Sequence, residues 1–267
     1  MVFCESIVAF DAAINNETDA LEILPGSAPL TTRTGRGKPK ITHAMYFAST
    51  DDITRVIIQP QNANDINGIP IEYGTIYGAV TEFDLAKSRL EVPIEVPENC
   101  LLTISATSET AANTIVFAWL MLEYPSTGKF ESVQAGVKVR RSWEHGAALV
   151  SNTEAPSTDI ATMLPGKLYQ LCGISGVGVN GATAGCVGPV FHRVRNVEYE
   201  GAICWIPMCN GAGYIVGGAR AGFVDFAKAG IKAPKFKGGT PLLTSCIGYT
   251  AEQPQAELAF RTDSLFR

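Results

Sequence analysis

The sequence predicts an all-β chain made of two tandem domains with about eight strands each. Three observations lead to this prediction: short runs rich in valine, isoleucine, tyrosine and phenylalanine, frequent breaks at glycine, proline and asparagine, and a sequence pattern that occurs twice. Fifteen prolines are spread along 267 residues, and proline removes a hydrogen-bond donor inside a helix, so long helices are disfavoured. With 46% apolar and 18% charged residues, the chain is expected to bury a large core and to cover part of its surface with other protein.

The predicted strands are the runs in which β-branched and aromatic residues lie between turn-forming residues. In the first half of the chain they are 3–9, 20–24, 42–48, 53–59, 69–77, 89–96, 100–106 and 115–123. In the second half they are 147–150, 160–164, 167–173, 186–194, 197–206, 212–217, 230–236, 242–249 and 256–261. Hairpin turns are predicted at Asn67-Gly68, Asn180-Gly181 and Asn210-Gly211, because both residue types tolerate positive φ.

One pattern returns 141 positions along the chain: DLAK at 84–87 and DFAK at 225–228. Extended over 84–103 and 225–244, the two segments share seven of twenty residues without a gap. Typical residue frequencies would give about one identity by chance. Such a match indicates that one structural unit is present twice.

A second match lies upstream, where TDALEILPG at 18–26 resembles TDIATMLPG at 158–166 in five of nine positions. Its offset is 140, and the two matches occur in the same order in both halves. We interpret the chain as a tandem duplication, with domains at 1–135 and 136–267. Two eight-stranded units without long helices are typical of β-sandwiches or jelly rolls.

The segment 126–146 is polar and basic, and it is predicted to be the connector between the two units. Around the repeated tetrapeptide, TEFDLAKS and GFVDFAKAG are either short helical turns or strand ends with a polar bend. The helical interpretation has Asp84 and Asp225 as caps and Gly230 as the stop of the second turn.

No catalytic or metal-binding constellation is visible. A duplicated β unit with a bound metal needs a His-x-His pair, but His43, His145 and His192 are far apart in the sequence. A serine nucleophile elbow is missing, and GVGVNG at 176–181 is followed by further strand residues, so a hairpin or an interface loop is favoured over a dinucleotide site. Seven unevenly spaced cysteines are expected to be buried thiols of a reducing compartment, although a Cys–His pair formed only in the fold stays open.

The most concentrated charge is in RTGRGKPK at 33–40, where Arg33, Arg36, Lys38 and Lys40 lie within eight residues. The second unit has no counterpart to this segment, so it is predicted to be an inserted loop. A basic, glycine-rich loop is suited to contact phosphate, lipid head groups or an acidic patch of a neighbouring copy, or it is a solvated loop without a partner. We expect a neighbouring subunit rather than nucleic acid, because the net charge of the chain is −5. Lys138, Arg140 and Arg141 form a second basic set with the same alternatives.

Duplicated jelly-roll-sized units, a length of 267 residues and a β-rich pattern together resemble the double jelly-roll major capsid proteins of icosahedral DNA viruses. The resemblance implies a virion subunit without catalytic residues, cofactor or bound metal. It also implies that three copies form a pseudo-hexagonal capsomer, with both rolls upright on the capsid. The partners would be copies of the chain itself and also minor capsid proteins or an internal membrane, with no sequence-specific nucleic acid.

Two other classes of function remain open from the sequence. One is a non-viral assembly protein or carbohydrate-binding protein built from two β-sandwiches. The other is an enzyme on a duplicated β scaffold. Neither has a supporting cluster of residues, since no group of aromatic and acidic residues marks a sugar site near Tyr124 and Trp143.

Overall fold

The computed structural model describes residues 3–14, 18–24, 30–48, 52–61, 77–79, 88–109, 114–125, 137–144, 153–155, 158–179, 190–196, 205–209, 220–231, 235–239, 241–248 and 253–262. The chain divides into two units. The N-terminal unit is Ser6–Pro125, and the C-terminal unit is Ser126–Arg267 together with Met1–Glu5. The prediction of an all-β chain is confirmed, because nineteen strands and one helical turn make up the described elements.

The strands up to Pro125 are β1 (Phe3–Ile14), β2 (Thr18–Ala20), β3 (Glu22–Leu24), β4 (Leu30–Thr31), β5 (Lys40–Ala48), β6 (Ile53–Pro60), β7 (Tyr77–Ala79), β8 (Arg89–Glu95), β9 (Leu101–Ser108) and β10 (Thr114–Tyr124). One sheet has the order β3-β1-β10-β5, and both β7 and β8 pair with β5. In the other sheet β9 pairs with β2, β4 and β6. The pairings β1 with β3, β10 with β5, β5 with β8, and β9 with β2, β4 and β6 are antiparallel, whereas β5 with β7 is parallel.

The remaining elements are β11 (Val137–Glu144), β12 (Thr158–Thr162), β13 (Leu168–Val179), β14 (Val190–Asn196), β15 (Ile206–Cys209), β16 (Arg220–Asp225), α1 (Phe226–Ala229), β17 (Lys235–Lys237), β18 (Pro241–Ile247) and β19 (Gln253–Thr262). One sheet has the order β11-β19-β13-β16, with β17 also on β13. The other has the order β12-β18-β14-β15.

The two units share most of their strand order. In each, the first strand lies beside the last, β1 beside β10 and β11 beside β19, and the last strand pairs with β5 or β13. The strand before the last also has equivalent neighbours in the two units. In the N-terminal unit β9 lies between β2 and β6, and in the C-terminal unit β18 lies between β12 and β14. One edge differs, since β7 runs parallel to β5 whereas β16 runs antiparallel to β13.

The core of the N-terminal unit lies where its sheets turn their apolar faces inward. Along β9 the burial alternates, and Leu102, Ile104 and Ala106 are fully buried, as the two-residue period of a half-buried strand requires. Strand β10, which lies between β1 and β5 in its sheet, is buried on both faces from Val116 to Leu122. In the C-terminal unit Tyr169, Leu171, Phe191, Leu242 and Ile247 are among the buried side chains.

The predicted connector at 126–146 is wrong in part, because β11 occupies Val137–Glu144. It pairs with β19 over its whole length, with Arg141 opposite Leu258. Lys138, Arg140 and Arg141 led to the prediction of a connector, although Val137 and Val139 alternate with Lys138 and Arg140 as in a strand. The predicted domain boundary between 135 and 136 lies outside the described residues.

The predicted loop or hairpin at 176–181 is also wrong in part. Gly176 to Val179 continue β13 and pair with β19, since backbone hydrogen bonds need no side chains. The turn signals Asn67-Gly68, Asn180-Gly181 and Asn210-Gly211 lie outside the described residues. The predicted strands at 147–150 and 212–217 and most of those at 69–77 and 197–206 also lie outside them. Strand β16 at Arg220–Asp225 was not predicted. Of the strand predicted at 230–236, Gly230 and Ile231 are not in a strand, 232–234 lie outside the described residues, and β17 begins at Lys235.

The helical interpretation of the second repeated segment is confirmed. Helix α1 follows Asp225 directly, and Gly230 ends it with φ +74°, a conformation that glycine adopts without strain. The N–H of Ile231 donates to the carbonyl of Phe226 at 2.8 Å and closes the turn. Asp84 and DLAK lie outside the described residues, and Ser88, which follows them, is helical. No helix among the described residues is long and apolar enough to cross a bilayer.

Candidate interaction loop

The basic segment 33–40 lies between β4 and β5 in the N-terminal unit. The chain uses 21–39 to pass from β2 to β5, whereas 163–167 suffice to pass from β12 to β13. Residues 31–40 are called the basic loop below. Arg33, Arg36, Lys38 and Lys40 are all exposed on it.

The basic loop is fixed at its start by Thr32, which is 1% exposed. The Thr32 hydroxyl donates to the carbonyl of Pro97 at 2.7 Å and accepts the N–H of Cys100 at 2.8 Å. The backbone of Thr32 adds two bonds, from its N–H to the Cys100 carbonyl and from the Asn99 N–H to its own carbonyl. These four hydrogen bonds attach the loop to the turn before β9.

The far side of the loop is fixed by β10 and by two glycines. The Arg33 N–H donates to the Tyr124 hydroxyl at 3.0 Å. Gly35 and Gly37 have φ of +74° and +78°, so an L side chain would be strained at either position. At Gly37 a Cβ atom would also lie 2.9 Å from Cγ of Pro125. The loop therefore has a defined shape and projects its cations outward.

Two carboxylates of the N-terminal unit lie beside the loop. Lys38 Nζ is 3.4 Å from Glu95 Oε1, with the two side chains 64% and 54% exposed. The Gly35 N–H donates to Glu98 Oε2 at 3.4 Å. Exposed pairs of this kind contribute about 0–1 kcal/mol, so solvent and salt compete with them. The loop can therefore exchange these contacts for carboxylates or phosphates of a partner.

Replacement of Thr32 with valine is expected to lower the free energy of unfolding by about 1–3 kcal/mol. Valine keeps the shape of the side chain but leaves the buried Cys100 N–H and the Pro97 carbonyl without the hydroxyl. Urea denaturation of the full chain measures the change. The matched control is Thr54→Val, whose exposed hydroxyl makes one long bond of 3.4 Å and whose loss should cost less than about 0.5 kcal/mol. Equal losses in both variants would contradict this role of Thr32.

The C-terminal unit contains a partly buried ionic cluster that the sequence did not predict. Arg193 on β14 forms an ion pair with Glu154, and its guanidinium carbon lies 4.5 Å from the centre of the Trp205 ring. The ion-paired side chains are 22% and 21% exposed. The three residues come from separate segments, so no local spacing in the sequence signals them.

Cys246 and His192 are cross-strand partners on β18 and β14, and both are buried. The fold thus brings together one cysteine and one histidine, the combination that the sequence left open. Burial and, to a smaller extent, the nearby Glu154 carboxylate raise the pKa of the Cys246 thiol to about 12. At neutral pH this thiol is protonated, whereas a nucleophilic cysteine must be a thiolate.

The raised pKa makes Cys246 a source of pH dependence in stability. Its thiol stays neutral in the folded state while the unfolded thiol ionises near its ordinary pKa of 9.0, so stability falls as the pH rises from about 9 toward about 12. The slope from this group approaches 1.4 kcal/mol per pH unit, roughly the value of one proton. Urea denaturation between pH 8 and pH 10.5, in steps of about half a unit, measures it. Cys246→Ala is expected to have a shallower slope, and an unchanged slope would contradict the assignment.

His43, the other histidine among the described residues, packs against neighbouring side chains in the core. His43 on β5 is 1% exposed, its Nδ1 lies 3.0 Å from the Thr42 hydroxyl, and its ring meets Trp119 edge-on at 6.1 Å. His145 lies outside the described residues. In the described part of the chain, no three histidine, cysteine, aspartate or glutamate side chains are grouped to hold a metal ion.

No protein-family model and no curated protein matches the chain. Among solved structures, it is similar to the major capsid protein P2 from Bacteriophage PM2. The two chains are 9% identical, with 98% of this chain and 97% of that chain covered and a TM-score of 0.27. At this TM-score the likeness does not define a shared fold.

Proposed function

We propose that the chain is a viral major capsid protein, a structural subunit whose copies assemble into the shell of a virion. The observation that carries the proposal is the strand order. When β17 is left out and the other eight strands of the C-terminal unit are numbered in chain order, the two sheets have the orders 1-8-3-6 and 2-7-4-5. This order supports the proposal of a jelly roll, which is built from eight strands in two sheets. The described strands of the N-terminal unit follow the same order for strands 1-8-3 and 2-7-4, and they differ at the edge beside strand 3, where β7 is parallel to β5.

Two rolls in one chain support a tiling role. Three copies supply six similar units, and six similar units can close into a pseudo-hexagonal capsomer that tiles a curved shell. In the proposed capsomer, two rolls in each chain would give hexagonal packing with three-fold symmetry. We propose that the repeated segments record a duplication of one jelly roll.

The low charge content of the chain supports contacts between copies. Only 18% of all residues are charged, and obligate interfaces are depleted in charged residues at their centres. The basic loop is proposed to contact a neighbouring copy, a minor capsid protein or the head groups of an internal membrane. Sequence-specific nucleic-acid recognition is not part of the proposal, because the net charge of −5 disfavours binding of a polyanion.

We propose a structural rather than a catalytic role, with no cofactor. The raised pKa of Cys246 supports this proposal, since it keeps the thiol of the cross-strand Cys–His pair protonated.

The experiment is size-exclusion chromatography with light scattering of the purified chain, followed by negative-stain electron microscopy at rising protein concentration. Trimers that form particles or sheets with hexagonal capsomers are expected. A chain that stays strictly monomeric at high concentration would overturn the proposal. Binding on a glycan array without higher-order assembly would instead favour a carbohydrate-binding protein.

A further inference from the structure

The basic loop holds two carboxylates of its own unit. Lys38 Nζ lies 3.4 Å from Glu95 Oε1, and the Gly35 N–H donates to Glu98 Oε2 over 3.4 Å. One contact uses a side-chain cation and the other uses a backbone donor, so the loop offers both kinds of group that bind a carboxylate. The loop is therefore an anion-binding segment whose present ligands come from the same chain.

Both carboxylates are held loosely. A charge-assisted N–H···O bond is usually about 2.7–2.9 Å long, and the two contacts here are longer, at 3.4 Å. The Lys38 and Glu95 side chains are 64% and 54% exposed, so water and salt screen their attraction. Glu95 and Glu98 are therefore ligands that another anion can replace.

The backbone of the loop, in contrast, is firmly held. Thr32 attaches its start through four hydrogen bonds, and the positive φ of Gly35 and Gly37 defines its turn. An anion that replaces Glu95 or Glu98 does not have to order the loop, so little conformational entropy is lost on binding. The loop is thus preorganised for an anion from outside its unit.

Charge complementarity points to a second copy of the chain as the source of that anion. The loop holds four of the 21 basic residues, so the remaining 17 are set against 26 acidic residues and the rest of the molecule has a net charge of −9. A copy that approaches the loop therefore presents an excess of carboxylates, the group that the loop binds within its own unit. Complementary charges of this kind speed the encounter of two surfaces and fix their orientation.

We propose that the basic loop binds carboxylates of a second copy, and that Glu95 and Glu98 mask the loop until that copy arrives. The incoming carboxylates replace Glu95 at Lys38 and Glu98 at the Gly35 N–H. The exchange costs little, because exposed pairs such as those given up contribute little to stability. The loop has three further exposed cations that attract the second copy, Arg33, Arg36 and Lys40.

The loop has no equivalent in the C-terminal unit, which makes the same passage with 163–167 and has one cation there, Lys167. Because two cationic loops repel each other, the contact joins the loop of one copy to a different surface of the next. Contacts between unlike surfaces form closed rings when the rotation between copies closes. A ring of three copies, each with its loop on the next, fits the proposed trimer. The inference rests on the proposed shell function and deepens it by naming one contact that builds the capsomer.

Neutralisation of two loop cations tests the contact. Arg36→Gln/Lys38→Gln is expected to weaken association of the full chain about ten-fold in sedimentation equilibrium at low salt, because two attractive charges leave the interface. The matched control is Arg55→Gln/Lys237→Gln, which makes the same change in net charge at two exposed cations outside the loop. Circular dichroism checks that each variant folds. If the loop variant associates as strongly as the control variant, the loop contact is overturned.

Removal of the masking carboxylates is expected to have the opposite effect. Glu95→Gln/Glu98→Gln should strengthen association about three-fold, since the loop then has no competing ligands at Lys38 and Gly35. The matched control is Asp52→Asn/Glu109→Gln, which removes the same charge at the far end of β9, where the Glu109 N–H donates to the Asp52 carbonyl. This control corrects for weaker overall repulsion between copies. A gain no larger than that of the control would overturn the masking.

Vesicles test whether the loop instead binds a membrane. Cosedimentation of the wild-type chain and of Arg36→Gln/Lys38→Gln is measured with vesicles of phosphatidylcholine and phosphatidylglycerol, and with vesicles of phosphatidylcholine alone. We expect association between copies to depend on the two cations and cosedimentation to be equal for both chains. Cosedimentation that depends on Arg36 and Lys38, together with association that does not, would overturn the second copy as the partner.

The two proposals fail separately. Particles that form equally well from the wild-type chain and from Arg36→Gln/Lys38→Gln would overturn the loop contact and leave the shell function standing. Association that depends on the loop, in a chain that forms no particles or capsomers, would overturn the shell function and keep the loop contact.

Discussion

Replacement of Trp119 with alanine is expected to lower the free energy of unfolding by about 3–5 kcal/mol, the largest effect of any substitution considered for the N-terminal unit. Trp119 lies at the middle of β10, is fully buried, and contacts the His43 ring at 6.1 Å. Its removal takes away the transfer free energy of a large side chain and leaves a cavity that close-packed neighbours fill only in part.

Urea denaturation followed by far-ultraviolet circular dichroism measures this loss, since the signal does not depend on the tryptophan that is removed. The matched control is Leu164→Ala, which shortens a side chain that is 52% exposed and should change stability by less than about 0.5 kcal/mol. A loss below about 1.5 kcal/mol for Trp119→Ala would mean that the sheets around β10 are not closely packed.

Replacement of Gly238 with alanine is expected to destabilise the C-terminal unit by about 3 kcal/mol, at the upper end of the range for overpacking. A Cβ atom at this position would lie 2.0 Å from the carbonyl oxygen of Leu164, which is backbone and cannot rotate away. The two segments would have to separate. Their movement would break the bonds from the Gly238 N–H to Lys167 and from the Gly239 N–H to Met163, which are 2.8 and 2.9 Å long.

The matched control is Gly166→Ala in the facing turn. Gly166 has φ +76°, and a Cβ atom there would have no neighbouring atom within 4 Å. Alanine at this position is therefore expected to lower the free energy of unfolding only through the left-handed backbone conformation, by about 1–2 kcal/mol. Thermal unfolding of the full chain compares the two variants. If Gly238→Ala is as stable as Gly166→Ala, the close contact between Gly238 and the Leu164 carbonyl would be contradicted.

Most strands could be predicted from the sequence, because strand formation depends on residue types that alternate locally. The runs at 42–48, 53–59, 89–96 and 115–123 match β5, β6, β8 and β10 to within a few residues. Strand β11 was missed, because its stability depends on β19, more than 100 residues away, and not on its own charged sequence. For the same reason the ion pair of Glu154 with Arg193 has no signature in the sequence.

The downstream repeated segments align differently by sequence identity and by burial in the structure. The downstream match at an offset of 141 aligns Leu101 with Leu242, yet Leu101 is half-buried and Leu242 is buried. A shift of one residue from the structurally equivalent alignment exchanges the two faces of a strand. An offset of 140 aligns Leu102 with Leu242, both buried, and agrees with the upstream match.

The turn before β9 and β18 supports the same offset. Asn99 and Gly239 then coincide, and both have positive φ, 51° and 105°. Each donates its N–H across the unit, Asn99 to Thr32 at 3.1 Å and Gly239 to Met163 at 2.9 Å. The identical letters LLT in both halves are therefore one residue out of structural register.

The sequence by itself determined the β class, the approximate positions of most strands, the basic loop and the segments that occur twice. These features depend on residue type, alternation and local turn chemistry, all of which are visible along the chain. Only the tertiary structure decided the strand order, the register that assigns each residue to a face and the cluster around Arg193. Each of these depends on backbone groups that pair across long stretches of sequence, and pairing of that kind leaves no local pattern to detect.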